Sequence, residues 1–165
     1  MVSGDKLSWC FRQKDGVHVV SPSDELAKSY LDKAEESLKT MQKLENTNTW
    51  KIVTAYYTAY LALYALFRKV GIKCEIHDCT IEAIKLFIPE RILSQSDYDF
   101  LTDLKELRIN AQYYIEKTKP SEQKVAETAK KTVDFFTKLS SILHRINTSK
   151  MESIRARFEA KGKGI

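Results

Sequence analysis

The chain has 165 residues, a formal net charge of +5, 30% charged residues, and only five Gly and three Pro. That length suits one domain with a real core. So few Gly and Pro among so many charges argue against a sandwich, a barrel or a disordered chain and point to a helix-rich fold; the modest positive charge permits nucleic-acid contact without demanding it.

The opening MVSGDKLSWC has no apolar run behind a basic patch, so no signal peptide is expected and the cytoplasm is the expected location. Leu7, Cys10 and Phe11 at i, i+3, i+4 suggest a short helix ending near Gly16, followed by an extended Val17–Val20. The alternative is a hairpin turning at Lys14-Asp15-Gly16. Cys10, Cys74 and Cys79 form an odd set without a disulfide spacing pattern, and reduced thiols are expected. The first long helix should open with Ser21 as N-cap, Pro22 in the first position and Asp24 three residues after the cap. Leu26, Tyr30, Leu31, Ala34, Leu38 and Met41 then form one apolar stripe to about Lys43. Lys28, Asp32, Glu35, Glu36 and Lys39 read as the solvated face opposite.

After the polar break Asn46–Thr49, where Asn48 or Thr49 is the expected cap, comes WKIVTAYYTAYLALYALFRKV, residues Trp50–Val70. A helix that is apolar on nearly every side is the central rod of a bundle. It approaches spanning length, but Lys51, Arg68 and Lys69 bracket it and Thr54, Tyr56, Tyr57, Thr58, Tyr60 and Tyr64 interrupt it, so it reads as core rather than membrane. Gly71 should end it. A connection over Ile72–Asp78 leads to a short helix at Cys79–Phe87, closed by Pro89. Ser94 or Ser96 starts a third long helix, with Asp97 and Asp99 in its first turn. Phe100, Leu101, Leu104, Leu107, Ala111 and Tyr114 or Ile115 form its buried stripe. Pro120-Ser121-Glu122 opens the last long helix, striped by Val125, Ala129, Val133 (or Thr132), Phe136, Leu139, Leu143 and Ile146.

Beyond Asn147, Lys150, Arg155, Arg157, Lys161 and Lys163 face only Glu152 and Glu159. This basic tail is either a frayed helix end or a nucleic-acid arm. The expected architecture is an all-α, antiparallel four-to-five-helix up-and-down bundle. Residues 1–20 form an N-terminal extension, 21–149 the bundle and 150–165 the tail.

The chain has no glycine-rich phosphate loop, Gly-x-Ser-x-Gly, HExxH or dinucleotide fingerprint, so most familiar enzyme classes are not expected. Cys74, His77 and Cys79 put three soft ligands within six residues. A structural zinc needs a fourth, and Cys10, His18 and His144 lie far along the chain, so neither a metal nor a cofactor is expected. Asp78 or His77 is better suited to cap the short helix.

The richer set is Arg108-Ile109-Asn110-Ala111-Gln112-Tyr113-Tyr114. Arg108 and Gln112 lie one turn apart on one face, and Asn110 and Tyr113 share another. An Arg among Leu104, Leu107 and Ala111 is costly without a partner, and a phosphate, a carboxylate or a subunit interface would each serve.

The segment AYYTAYLALYALFRKVGIKCEIHDCTIEAIKLF, with Tyr56-Tyr57, Gly71 and His77 in order and Arg108-Ile-Asn-Ala-Gln-Tyr113 after it, resembles the HEPN superfamily, in particular its prokaryotic UPF0332 branch in an archaeal-looking version. The resemblance runs from about Leu26 to Leu143. It implies an antiparallel helical bundle, a homodimer, and Arg-motif helices meeting near the dimer cleft. Active HEPN ribonucleases cut RNA without metal, using an Arg followed a few residues later by a His, and many are toxins paired with a minimal nucleotidyltransferase antitoxin.

The Arg carries over to Arg108. The His does not, because Tyr113, Tyr114 and Ile115 stand where it should be. Metal-free cleavage needs a group that exchanges a proton near neutrality, as His does and an unperturbed Tyr does not. Two readings follow. In one, a homodimeric binding module uses an Arg-lined cleft for RNA, nucleotide or a partner protein, with Arg108, Gln112, Tyr114, His77 and Tyr57 as binding residues. In the other, a metal-independent ribonuclease works through Arg108 with Asn110, Gln112 and Tyr113 recruited, or with His77 supplied from another part of the fold as the substituted acid–base group. A third possibility is a pure interaction protein. The family context also makes Tyr113 or Tyr114 a candidate acceptor of a nucleotidyl group from a partner transferase.

Overall fold

The computed structural model describes residues 5–114 and 119–164. In chain order these residues form α1 (Lys6–Arg12), β1 (His18–Val19), α2 (Asp24–Lys43), α3 (Asn48–Val70), β2 (Ile72–Lys73), α4 (His77–Glu82), a 3-10 turn (Ala83–Leu86), α5 (Gln95–Tyr113), α6 (Glu122–Arg145) and α7 (Thr148–Lys163). The fold is all-α. α3 is its rod, packed against α2, α5 and α6. Tyr56, Leu63, Leu66 and Phe67 are wholly removed from water on several sides of it, which is why the sequence here shows no polar face. No helix of the described residues is long and apolar enough to cross a membrane.

Between residues 5 and 20 the short helix forms and the hairpin does not. β1 pairs antiparallel with β2 instead, His18 opposite Lys73 and Val19 opposite Ile72. α2 begins two residues later than expected: Ser23, not Ser21, is the cap, its Oγ accepting the Leu26 N–H at 3.1 Å. The Ser23 N–H is tied to the Arg68 carbonyl at 3.0 Å, which holds the preceding Ser21-Pro22 in the entry segment. The buried face shifts with it. Leu26 is 41% exposed and Ala27 is buried.

α3 starts at Asn48 behind Thr47, whose side chain makes no capping bond. It ends as expected at Gly71, whose φ of 89° lies in the left-handed region. A Cβ at that position would stand 2.5 Å from the Val20 carbonyl oxygen and 2.1 Å from Arg155 Nη1. α5 opens on a capping box in which Ser94 Oγ accepts from the Asp97 N–H and Asp97 Oδ2 accepts from the Ser94 N–H. Ile115, offered with Tyr114 as the end of the buried stripe of that helix, falls outside the described residues. α6 opens behind Ser121 as expected. Its buried stripe, however, is Val125, Thr128, Thr132, Phe135 and Leu139, while Ala129, Val133 and Phe136 are half-buried. Thr128 and Thr132 donate to the carbonyls of Lys124 and Thr128 at 2.7 and 2.8 Å, so their hydroxyls are satisfied and their methyls can pack inward.

Two expectations are corrected. The supposed basic tail is α7, capped by Asn147 and anchored by Ile154 and Phe158, both at 0% exposure. Four of its five cations are engaged within the fold. Arg155 Nη1 donates to the carbonyls of Val20, Val70 and Gly71 at 2.6, 3.1 and 3.2 Å, closing the C-terminal end of α3, where carbonyls lack helical partners. Arg157 and Lys150 hold Glu90, whose pKa is brought down to about 2 by the Arg157 hydrogen bond first and then by those of Ser153 and Lys150, and Lys161 pairs with Asp5 at 2.5 Å. Second, Cys10 and Cys79 are not reduced thiols but a disulfide, their Cα atoms 5.4 Å apart where α1 meets α4. A separation of 69 residues hides the pair from any spacing rule. Cys74 remains a free, buried thiol.

Candidate functional site

The packing of α5 against α3 brings Arg108 over the paired tyrosines. Its Nη2 donates to the Tyr57 hydroxyl at 3.2 Å. Its guanidinium carbon lies 5.2 Å from the Tyr56 ring centre and 5.5 Å from those of Tyr57 and Tyr113, all within cation–π range. The partner that this Arg requires is therefore aromatic. Guanidinium, weakly hydrated and planar, is the cation best suited to such a cage. The cage does not exhaust it. Arg108 Nε is buried without a hydrogen-bond partner, the Gln112 Oε1 on the next turn is in the same state, and no carboxylate of the described residues pairs with Arg108. An unmet buried polar group costs about 1–3 kcal/mol; the Arg108 Nε–H lacks an acceptor, which an oxyanion is able to supply, whereas the Gln112 Oε1 lacks a donor.

His77 opens α4 on the other side of Tyr56. The Tyr56 hydroxyl and His77 Nδ1 are 2.8 Å apart, and the imidazole stacks on Tyr60 at 4.1 Å and 12°. Burial first, and then the Arg108 charge, hold the His77 pKa below the ordinary histidine value, against a weaker opposing pull from Asp78. The ring is therefore neutral at neutral pH. Burial pushes the Tyr56 phenol well above the usual tyrosine pKa, so it stays a hydroxyl. The arrangement is one cation in a wall of aromatic rings, with a neutral imidazole one hydrogen bond from the wall.

The structure thus brings together Arg108, Tyr57, His77 and Tyr113, with Gln112 beside them on α5. Asn110 lies two residues along α5 from Arg108, and Tyr114 is the C-cap of that helix. Asn110 is half-buried and its carbonyl receives the Tyr114 N–H at 3.2 Å; Tyr114 is 52% exposed, and Tyr113 is 60% exposed despite its place under the guanidinium. Neither Asp78 nor His77 caps α4, because the cap is Ile76 without a side-chain bond and Asp78 is drawn instead to Lys105 and Lys6. The Cys74-His77-Cys79 set does not assemble as ligands. Cys79 is in the disulfide, and His77 Nδ1 is engaged by Tyr56.

Two residues that matter here, Tyr56 and Tyr60, are not among the candidate site residues expected from the sequence, although Tyr56 belongs to the paired-tyrosine motif. Their signal was the repeat Tyr56, Tyr60, Tyr64, which places three rings on one face of α3 at 5.8 and 6.1 Å between centres. A family model for the HEPN domain matches residues 27–143. No curated protein matches the chain.

Proposed function

The chain belongs to the HEPN domain family, and on that premise we propose that it acts as a homodimeric binding module whose Arg108 cleft holds the phosphate of an RNA or nucleotide. The observation that carries this is the buried, unpartnered Nε of a guanidinium that has aromatic company and no carboxylate among the described residues. A phosphate supplies the acceptors it lacks, and Tyr113, exposed beside it, offers a ring on which a base can stack. The broad exposed rings of Tyr113 and Tyr114 at the end of α5 also suit a second copy of the chain, so that two Arg108 cages share one cleft, and the family's pairing with a minimal nucleotidyltransferase supplies the protein partner.

The test is fluorescence anisotropy of a labelled single-stranded RNA across a salt series. Binding should weaken as salt rises, and Arg108→Ala should lower affinity about tenfold and reduce the salt slope by about one phosphate. Equal binding by both proteins would end this reading. Sedimentation at micromolar concentration should show a dimer; a monomer would remove the shared cleft.

One observation favours a second reading, that of a metal-independent ribonuclease. Neutral His77 lies one hydrogen bond from the ring under Arg108, where it could replace the missing motif histidine. Cleavage in EDTA that is lost in both Arg108→Ala and His77→Gln would establish it.

A further inference from the structure

A second cationic cavity lies at the far end of α3. Its walls come from α2 (Leu26, Tyr30), α3 (Tyr64, Arg68) and the segment at and after β2 (Lys73, Glu75), around a volume of about 480 Å³. Arg68 is twelve residues beyond Tyr56, roughly 18 Å along the helix, so this is not the Arg108 cleft.

Arg68 repeats the chemistry of Arg108 in a different setting. Its Nε is buried without a hydrogen-bond partner. The one acid lining this cavity, Glu75, is held by Lys73 at 2.9 Å rather than by Arg68, which leaves the cavity with one uncompensated positive charge. The Tyr64 oxygen accepts the Cys74 backbone N–H at 3.2 Å, so the Tyr64 O–H is available to an acceptor in the cavity. Tyr30 meets Tyr64 edge to face at 4.7 Å, and Leu26 brings exposed apolar surface to the same wall.

We infer that this cavity binds a small molecule carrying a carboxylate or phosphate on a planar ring. The oxyanion meets Arg68 and the Tyr64 hydroxyl, and the ring lies against Tyr30 and Leu26. A guanidinium fork with a free N–H matches two oxygens of one oxyanion. The volume falls in the usual range for small-molecule sites. The aromatic and aliphatic walls explain why a ring should bind better than a bare ion.

The test uses the full chain, nitrogen-15 labelled, titrated separately with phenyl phosphate and with benzoate. The Arg68 Nε–H and Cys74 backbone amide signals report on the cavity, and Arg108 Nε–H is the internal control. At least one probe should shift both reporters saturably while leaving Arg108 unmoved, and inorganic phosphate should bind about tenfold more weakly for want of a ring. The tighter of the two probes identifies the oxyanion. Arg68→Gln should weaken binding about tenfold and Tyr64→Phe about threefold, with Arg108→Ala unchanged. Failure of both probes to give saturable shifts in the wild type overturns the inference, as does unchanged affinity in Arg68→Gln. If Arg68→Gln does not fold, unchanged affinity in Tyr64→Phe overturns it. Because Arg108→Ala should leave this titration intact, its outcome is separable from that of the RNA-binding reading.

Discussion

Phe158→Ala asks whether α7 is part of the core or an appendage. Phe158 is at 0% exposure, and its ring centre lies 5.5 Å from Phe87, 6.2 Å from Phe11 and 6.3 Å from Phe67. Removing a fully buried Phe costs about 3–5 kcal/mol in lost transfer and cavity terms. Three aromatic neighbours, each worth roughly 0.5–1.5 kcal/mol beyond area, put this site in the upper half, near 4 kcal/mol. With a urea slope of about 2 kcal/mol per molar, the unfolding midpoint followed by circular dichroism should fall by about 2 M. Phe158→Leu keeps most of the volume and should lose only about 1.5 kcal/mol. A loss below about 1 kcal/mol for the Ala variant, the usual range for surface changes, would refute the packing of α7 and return the segment to the status of a tail.

Three further predictions follow from single contacts. Arg155→Met removes a charged donor shared by three carbonyls and should cost about 1.5–3 kcal/mol, whereas Arg157→Met, which breaks a partly exposed pair with a Glu90 that Lys150 still holds, should cost about 1 kcal/mol; urea unfolding separates them, and equal losses would contradict the capping role. Protein purified without reductant should show, by intact mass, two hydrogens fewer than the reduced chain and one reactive thiol on unfolding, and Cys10→Ser should lower stability by about 4 kcal/mol for a loop of this length; three reactive thiols would contradict the pairing. His77 is held below the ordinary histidine pKa of about 6.5, so in acid the unfolded chain binds a proton that the folded chain refuses. Stability is therefore full above about pH 6.5 and falls as pH drops through the window below it. His77→Gln should flatten the change between about pH 7.5 and about pH 5.5, and an unaltered slope would mean that the ring titrates freely in the fold.

The long elements were legible because their signals are local. The all-round apolar α3, Gly71 at its end, Ser94 with Asp97, and Ser121 before Glu122 each act within a turn or two of chain. What was hidden depends on partners far away in sequence. Arg155 reads as one more positive charge until it is seen on the carbonyls of Val70 and Gly71. Cys10 finds Cys79 only because α1 settles on α4. Thr128 reads as polar, and Thr132 only as an alternative to Val133, until their hydroxyls are seen to bond back along α6. The candidate site was legible as a need: an Arg in an apolar stripe must have company. Its company, the Tyr56 and Tyr57 rings, was in view, but nothing local said that α5 would lie across them. Tyr56 was hardest to assign, since a buried Tyr on a core helix looks like packing whether or not it also holds His77.

The most direct measurement is to incubate single-stranded RNA with the wild type and with Arg108→Ala in EDTA, and to score retained and cleaved RNA on paired native and denaturing gels. The binding-module account predicts RNA retained by the wild type, retained about tenfold less well by the variant, and left whole by both. RNA cut by the wild type and spared by the variant would contradict it, and would make His77 the first residue to examine as the missing acid–base group.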